Sequence, residues 1–113
     1  MAKLEQIAEL PDGWNGPHSK AVGIPVQNQY VAFIARFDPV SLDFEPMPTP
    51  AGGIRMEWER TDFDCVAEFR PDGGIYLCAL GESEDTDIEV YVPSSHGIDR
   101  LLEFYRDPRS MDV

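Results

Sequence analysis

Gly53-Ile54-Arg55-Met56-Glu57-Trp58-Glu59 decides the fold, because from residue 53 onward the apolar period switches from helical to alternating. Ile54, Met56 and Trp58 fall on one side of an extended chain, and Arg55, Glu57 and Glu59 on the other. The alternation then recurs. Cys65, Ala67 and Phe69 oppose Val66, Glu68 and Arg70; Ile75, Leu77 and Ala79 oppose Tyr76, Cys78 and Leu80; Ile88, Val90 and Val92 oppose Glu89 and Tyr91. The joints are Arg60-Thr61-Asp62, Pro71-Asp72-Gly73-Gly74 and the acidic stretch from Gly81 to Asp87. Joints this short make antiparallel hairpins, so residues 53–92 are expected to form a four-stranded meander.

Upstream of the meander the pattern is helical. Residues 3–10 read as a short helix with Leu4, Ile7 and Ala8 on one face, stopped by Pro11. Pro11-Asp12-Gly13-Trp14-Asn15-Gly16-Pro17 is dense turn chemistry, and Trp14, its one large apolar group, is expected to plug that loop onto the core. A further helix begins at Pro25, where the missing N–H costs nothing. Val26, Tyr30, Phe33, Ile34 and Phe37 give it a continuous apolar stripe, and Asp38-Pro39 stops it. Residues 39–52 hold Pro39, Pro46, Pro48 and Pro50 and read as an extended surface linker pinned by Phe44 and Met47. Downstream, residues 94–107 read as a last helix with Ser94 or Ser95 as N-cap, Ile98, Leu101, Leu102 and Tyr105 as its stripe, and Pro108 as its stop. The expected architecture is α+β: two N-terminal helices, the meander, and a C-terminal helix packed on the sheet. The face turned away from the helices would carry Glu57, Glu59, Glu68, Arg70 and Glu89.

The chain has 113 residues, enough for one domain around one modest core (1–38 helical, 39–52 linker, 53–92 sheet, 94–107 helix). Its 21 acidic and 9 basic side chains leave a net charge of -12, which disfavours direct contact with nucleic acid or an anionic membrane. No apolar run approaches the roughly 20 residues of a membrane span, and the acids of the N-terminal segment interrupt any secretory signal, so a cytoplasmic setting is expected. Cys65 and Cys78 are too few for a structural zinc site or a disulfide framework, and both read as small buried hydrophobes. The charge is also uneven. Residues 1–56 hold 6 acids and 4 bases, whereas residues 57–113 hold 15 and 5.

Leu10-Pro11-Asp12-Gly13-Trp14-Asn15-Gly16, Pro48-Thr49-Pro50-Ala51-Gly52-Gly53-Ile54-Arg55-Met56-Glu57-Trp58 and Pro71-Asp72-Gly73 together resemble a loose group of small uncharacterised bacterial proteins that read LPxGWxG, then PTPxGGIxLEW, then a strand ending in PDG. The resemblance runs from residue 4 to about residue 80, and Ala51 departs from the Asp or Asn more usual at its place. It implies a bacterial or phage origin and a cytoplasmic setting, and it carries over no catalytic residue.

Candidate chemistry is sparse. His18 and His96 stand far apart with no ligand spacing around them, and Ser19, Ser94 and Ser95 lack any nucleophile signature. Glu57 and Glu59 share a strand face that Glu68 joins from the next strand, an arrangement able to hold a divalent cation or to do acid–base work. Arg55 shares that face and Arg70 flanks Glu68, so cross-strand ion pairs on a solvated face are the ordinary reading. Glu82-Ser83-Glu84-Asp85-Thr86-Asp87-Ile88-Glu89 packs five acids into eight residues but lacks the central glycine of a calcium-binding EF-hand loop. Its acids are expected to add repulsion rather than packing. Gly52-Gly53 and Gly73-Gly74 read as positive-φ positions at strand entrances, not as phosphate loops.

These features point to a non-enzymatic binding module without cofactor or metal. Its acidic surface, Glu57, Glu59, Glu68, Glu82, Glu84, Asp85, Asp87 and Glu89 with Tyr76 and Tyr91 as apolar anchors, would dock on a basic protein such as a toxin or a nucleic-acid-handling enzyme. Immunity proteins, antitoxins and phage-encoded inhibitors fit that description. The alternatives are an accessory assembly subunit whose acidity serves solubility, and a metal-dependent enzyme built on Glu57, Glu59 and Glu68.

Overall fold

The computed structural model describes residues 2–36, 46–60, 63–82, 87–93 and 97–108. Its elements run α1 (Ala2–Ala8), α2 (Ile24–Ile34), β1 (Pro46–Pro48), β2 (Ile54–Arg60), β3 (Phe63–Phe69), β4 (Ile75–Leu80), β5 (Ile88–Val92) and α3 (Gly97–Arg106). The architecture is α+β, with one antiparallel sheet in the order β1-β2-β3-β4-β5. The sheet therefore has five strands rather than the expected four. The extra strand lies in the segment read as a linker, where the prolines hid it.

Those prolines are compatible with pairing because of parity. The Thr49 N–H donates to the Gly53 carbonyl at 3.0 Å, so residues 47 and 49 turn their main-chain groups toward β2. Pro46 and Pro48 then point their missing donors outward, the one arrangement a sheet tolerates. Met47 does not pin the segment as expected: it stands opposite Arg55 on the face away from the helices and is exposed, and Pro46 is the buried residue of the strand.

Helix α2 has Pro25 in its first turn, and its Gly23 N-cap supplies no side chain. The stripe is in place: Val26, Tyr30 and Phe33 are buried and Ile34 packs at the core margin. Phe37 and the expected Asp38-Pro39 stop lie outside the described residues, as does Phe44. In α1 only Ile7 of the expected face joins the core; Ala8 is exposed, and the side chain of Leu4 is outside the described residues. Helix α3 buries Leu101, Leu102 and Tyr105 as expected, and also Phe104, which sits one turn after Leu101 and widens the stripe. Its proposed caps, Ser94 and Ser95, lie outside the described residues with His96.

Helix α2 lies against β2 and β3, α3 against β4 and α2, and α1 against β1. The core between these layers is aromatic. Trp58 meets Phe104 edge-on at 5.8 Å and Tyr105 at 5.1 Å, while Phe33 bridges Phe69 at 6.2 Å and Tyr105 at 6.1 Å. Cys65 is buried on this side. Cys78 is only half-buried and projects from the opposite face, because it pairs with Val66 while Cys65 pairs with Ala79. Both thiols are free, and the two cannot meet.

Trp14 does not plug the core. It is half-buried, outside the core cluster, and its indole N–H closes its own loop on the Lys20 carbonyl at 2.9 Å. Ser19 and Val22 carry that loop inward instead. The loop and the 49–53 turn dock through the Lys20 N–H on the Pro50 carbonyl at 2.8 Å, so the first two sequence motifs form one structural unit.

Candidate functional site

The period-2 rule that buries Ile54, Met56 and Trp58 leaves the other face of the sheet uncovered by any helix among the described residues. Register places the side chains of this face in rows: Met47 on β1; Arg55, Glu57 and Glu59 on β2; Asp64, Val66 and Glu68 on β3; Tyr76, Cys78 and Leu80 on β4; Glu89 and Tyr91 on β5. Of the residues singled out from sequence, Glu57, Glu59, Glu68, Tyr76, Glu89 and Tyr91 thus share one face. Glu82 and Asp87 are exposed in the β4–β5 loop, and Glu84 and Asp85 lie outside the described residues.

Charge along this face is polarised. Glu59 pairs with Asp64 at the end where β2 turns into β3, and the β4–β5 loop with Glu82 and Asp87 opens at that same end, next to Leu80 opposite Asp64. Arg55 and Arg70 sit toward the other end, beside the 49–53 and 70–74 turns. An open depression of about 780 Å³ lies along β2 and β3 toward the Glu59–Asp64 end, rimmed by Glu57, Glu59, Asp64, Val66 and Leu80 and reached by Arg55 as well.

Two ion pairs on the face run along a strand rather than across to the next one as expected. The Arg55 Nε reaches Glu57 at 2.8 Å although Arg55 stands opposite Glu68. Glu68 instead lies 3.4 Å from the Arg70 Nε, an ion pair without hydrogen-bond alignment. The reason is reach: side chains two apart on one strand share a face and leave the neighbouring strand's row free. The Glu57–Glu59–Glu68 triad does not converge either, since Val66 faces Glu57 and Asp64 faces Glu59. Among the described residues, no group of three or more His, Cys, Asp or Glu side chains is placed to hold a metal ion.

At the other end the two tyrosines are built in. Tyr76 and Tyr91 are cross-strand partners, and the Arg70 guanidinium lies over both rings at 4.9 and 5.6 Å. The Tyr76 hydroxyl donates to Glu89 at 2.7 Å, and the Tyr91 hydroxyl donates to Asp72 at 2.5 Å. The second Asp72 oxygen accepts the Gly74 N–H at 2.8 Å. These bonds hold Asp72 below the usual carboxylate range, through Tyr91 first and Gly74 next. They push both phenols up: Tyr91 through Asp72, and Tyr76 through Glu89 and then burial. The glycine pairs divide their duties. Gly52 and Gly73 take φ of +94° and +92°, whereas Gly53 is needed because a Cβ would collide with the Phe69 carbonyl, and a Cβ at Gly74 would displace the Tyr91 phenol from its place.

Sequence reasoning missed Asp64 and Asp72. Asp64 shares the parity of Val66 and Glu68, and extending the alternation one step upstream of Cys65 finds it. Asp72 carries only a turn signal, so its bond to Tyr91 becomes visible with the β4–β5 register. Ser19 is 3% exposed, accepts the Asn15 N–H at 2.8 Å and donates to the Gly16 carbonyl at 2.7 Å, which makes it a loop staple. His18 is exposed in the same loop. Among the described residues, no helix is long and apolar enough to cross a membrane. No protein-family model, curated protein or solved structure matches the chain.

Proposed function

We propose that this chain is a small non-enzymatic binding module that sets the acidic end of its open sheet face against the basic site of a partner protein, in the manner of an immunity protein, antitoxin or inhibitor of a nucleic-acid-handling enzyme. One observation carries the reading: Glu59 and Asp64 stand side by side at one end of the open face, at the same end as the loop with Glu82 and Asp87, while Arg55 and Arg70 stand toward the other end and are engaged by Glu57 and Glu68. A segregated field of this kind orients an incoming cationic surface, whereas acidity serving only solubility has no need of a pattern. Exposed Leu80 beside the acids adds apolar area that charge alone does not supply.

The test is retention from a bacterial lysate on immobilised wild type and on a Glu57→Gln/Glu59→Gln/Asp64→Asn variant, over a salt series. Basic proteins held by the wild type should be lost from the variant, and their retention should fall steeply as salt rises. Equal retention on both at every salt concentration would remove the acidic face from the function and favour an accessory assembly subunit.

A further inference from the structure

The two edges of the sheet are not alike. Strand β1 is three residues long, carries Pro46 and Pro48, and has α1 beside it. Strand β5, Ile88–Val92, pairs with β4 alone among the described residues, in unbroken register from Ile88 to Val92. It contains no proline, no lysine and no bulge, so its own residues supply none of the usual edge protections except Glu89.

Hydrogen-bond parity shows which main-chain groups this edge presents. The Arg70 N–H donates to the Gly74 carbonyl at 2.9 Å, so even-numbered residues of β4 bond to β3 and odd-numbered ones to β5. The odd-numbered residues are Ile75, Leu77 and Ala79, paired with Val92, Val90 and Ile88. Glu89 and Tyr91 therefore turn their N–H and carbonyl groups away from the sheet, toward the open edge. Side chains follow the same alternation. Ile88 and Val90 are only partly covered at the margin of the core, while Glu89 and Tyr91 project from the open face.

We infer that the outer edge of β5 takes an extended basic segment of the partner protein as an antiparallel sixth strand, with an apolar residue beside Val90 and a lysine or arginine on each side of it. The inference rests on the acidic-face reading and names the chemistry of the partner. Main-chain bonds to Glu89 and Tyr91 supply the pairing, and the apolar residue completes the cover over Ile88 and Val90. Charge selects the occupant. Glu89, Asp87, Glu82 and Asp72 are exposed around this edge, and Arg70, which lies over the Tyr91 ring, is already engaged by Glu68 and the two rings. A second copy of the chain would bring a net charge of -12 against -12.

The probe is an end-blocked Thr-Lys-Val-Lys-Thr peptide titrated into the ¹⁵N-labelled protein and followed by NMR. Paired antiparallel with Val opposite Val90, it sets its two lysine main-chain N–H groups against Glu89 and Tyr91. The Glu89 and Tyr91 amides should shift and exchange more slowly with solvent, and the lysine-to-glutamate peptide should not bind. N-methylating both lysines removes the pairing donors but keeps the charge and leaves the protein untouched; it should weaken binding by about tenfold or more. Equal binding of the methylated peptide would overturn the edge inference while leaving the acidic face as a docking surface. No response at β5 to the unmodified peptide would also overturn it. So would shifts at Glu89 and Tyr91 that grow with protein concentration alone, since the occupant is then a second copy. Failure of the lysate comparison with the Glu57, Glu59 and Asp64 variant would tell separately against the acidic-face reading.

Discussion

Tyr91 and Tyr30 show opposite fates for a phenol. Tyr91 gives its proton to a carboxylate that the bond itself keeps ionised, so the pair is strongest while Asp72 is charged and Tyr91 neutral. A lowered carboxylate pKa contributes stability above the unfolded value of about 4, lost as pH falls through the folded value; a raised phenol contributes below about 10 and is lost as pH climbs. The urea midpoint of Tyr91→Phe should therefore lie below wild type through neutral pH, with the gap closing at both extremes. Tyr30 is 2% exposed and its hydroxyl has no hydrogen-bond partner among the described residues. Burial pushes its pKa up to about 12. Tyr30→Phe removes an uncompensated desolvation cost and should raise stability by about 1 kcal/mol in urea unfolding. It should also soften the loss of stability between about pH 10 and 12, where the wild type must keep that phenol protonated. A variant less stable than wild type at neutral pH would show that the hydroxyl is bonded in solution.

Among the elements, β2 and α3 hold the aromatic core together, and Trp58 is the joint between them. Trp58→Ala should cost about 3–5 kcal/mol in equilibrium unfolding, since the cavity opens between a strand and a helix that cannot both close on it. The β4–β5 loop behaves differently from the purely repulsive segment read from its composition. The Gly81 N–H donates to the Asp87 carboxylate at 2.9 Å and ties the loop's ends together. Asp87→Asn keeps an acceptor and should be near neutral, whereas Asp87→Ala should lose about 1 kcal/mol. What was legible in sequence was whatever followed a single period: the alternation of β2 to β5, the Val26–Tyr30–Phe33 stripe, and the face on which Glu57, Glu59, Glu68 and Glu89 stand. What was not legible depended on partners distant in sequence. Strand β1 is a strand only because Gly53 and Arg55 lie beside it, and its prolines argue locally against one. Trp14 looks like a core plug until Lys20 folds back to receive its N–H. The polarity of the open face, which carries the functional reading, needed register as well as period, because only pairing puts Asp64 beside Glu59.

For the whole molecule, a net charge of -12 on so small a body is a standing load on the folded state. Added monovalent salt should raise the thermal midpoint by screening it. At matched ionic strength, millimolar calcium or magnesium should do no more than sodium, and EDTA no less. A cation binding the native state at a hundredfold excess over its Kd would add about 2.7 kcal/mol, so a rise of several degrees specific to calcium and abolished by Glu57→Gln would restore the carboxylate metal reading. The prolines of β1 have a consequence at this scale. A sheet that accepts a strand at one edge is a seed for polymer growth whenever its other edge can do the same. Pro46 and Pro48 withhold their donors from the outer side of β1, so an added strand at β5 ends the sheet instead of extending it. The assembly is then finite, one host to one guest strand, and the chain can be present in excess of its partner without growing into fibres.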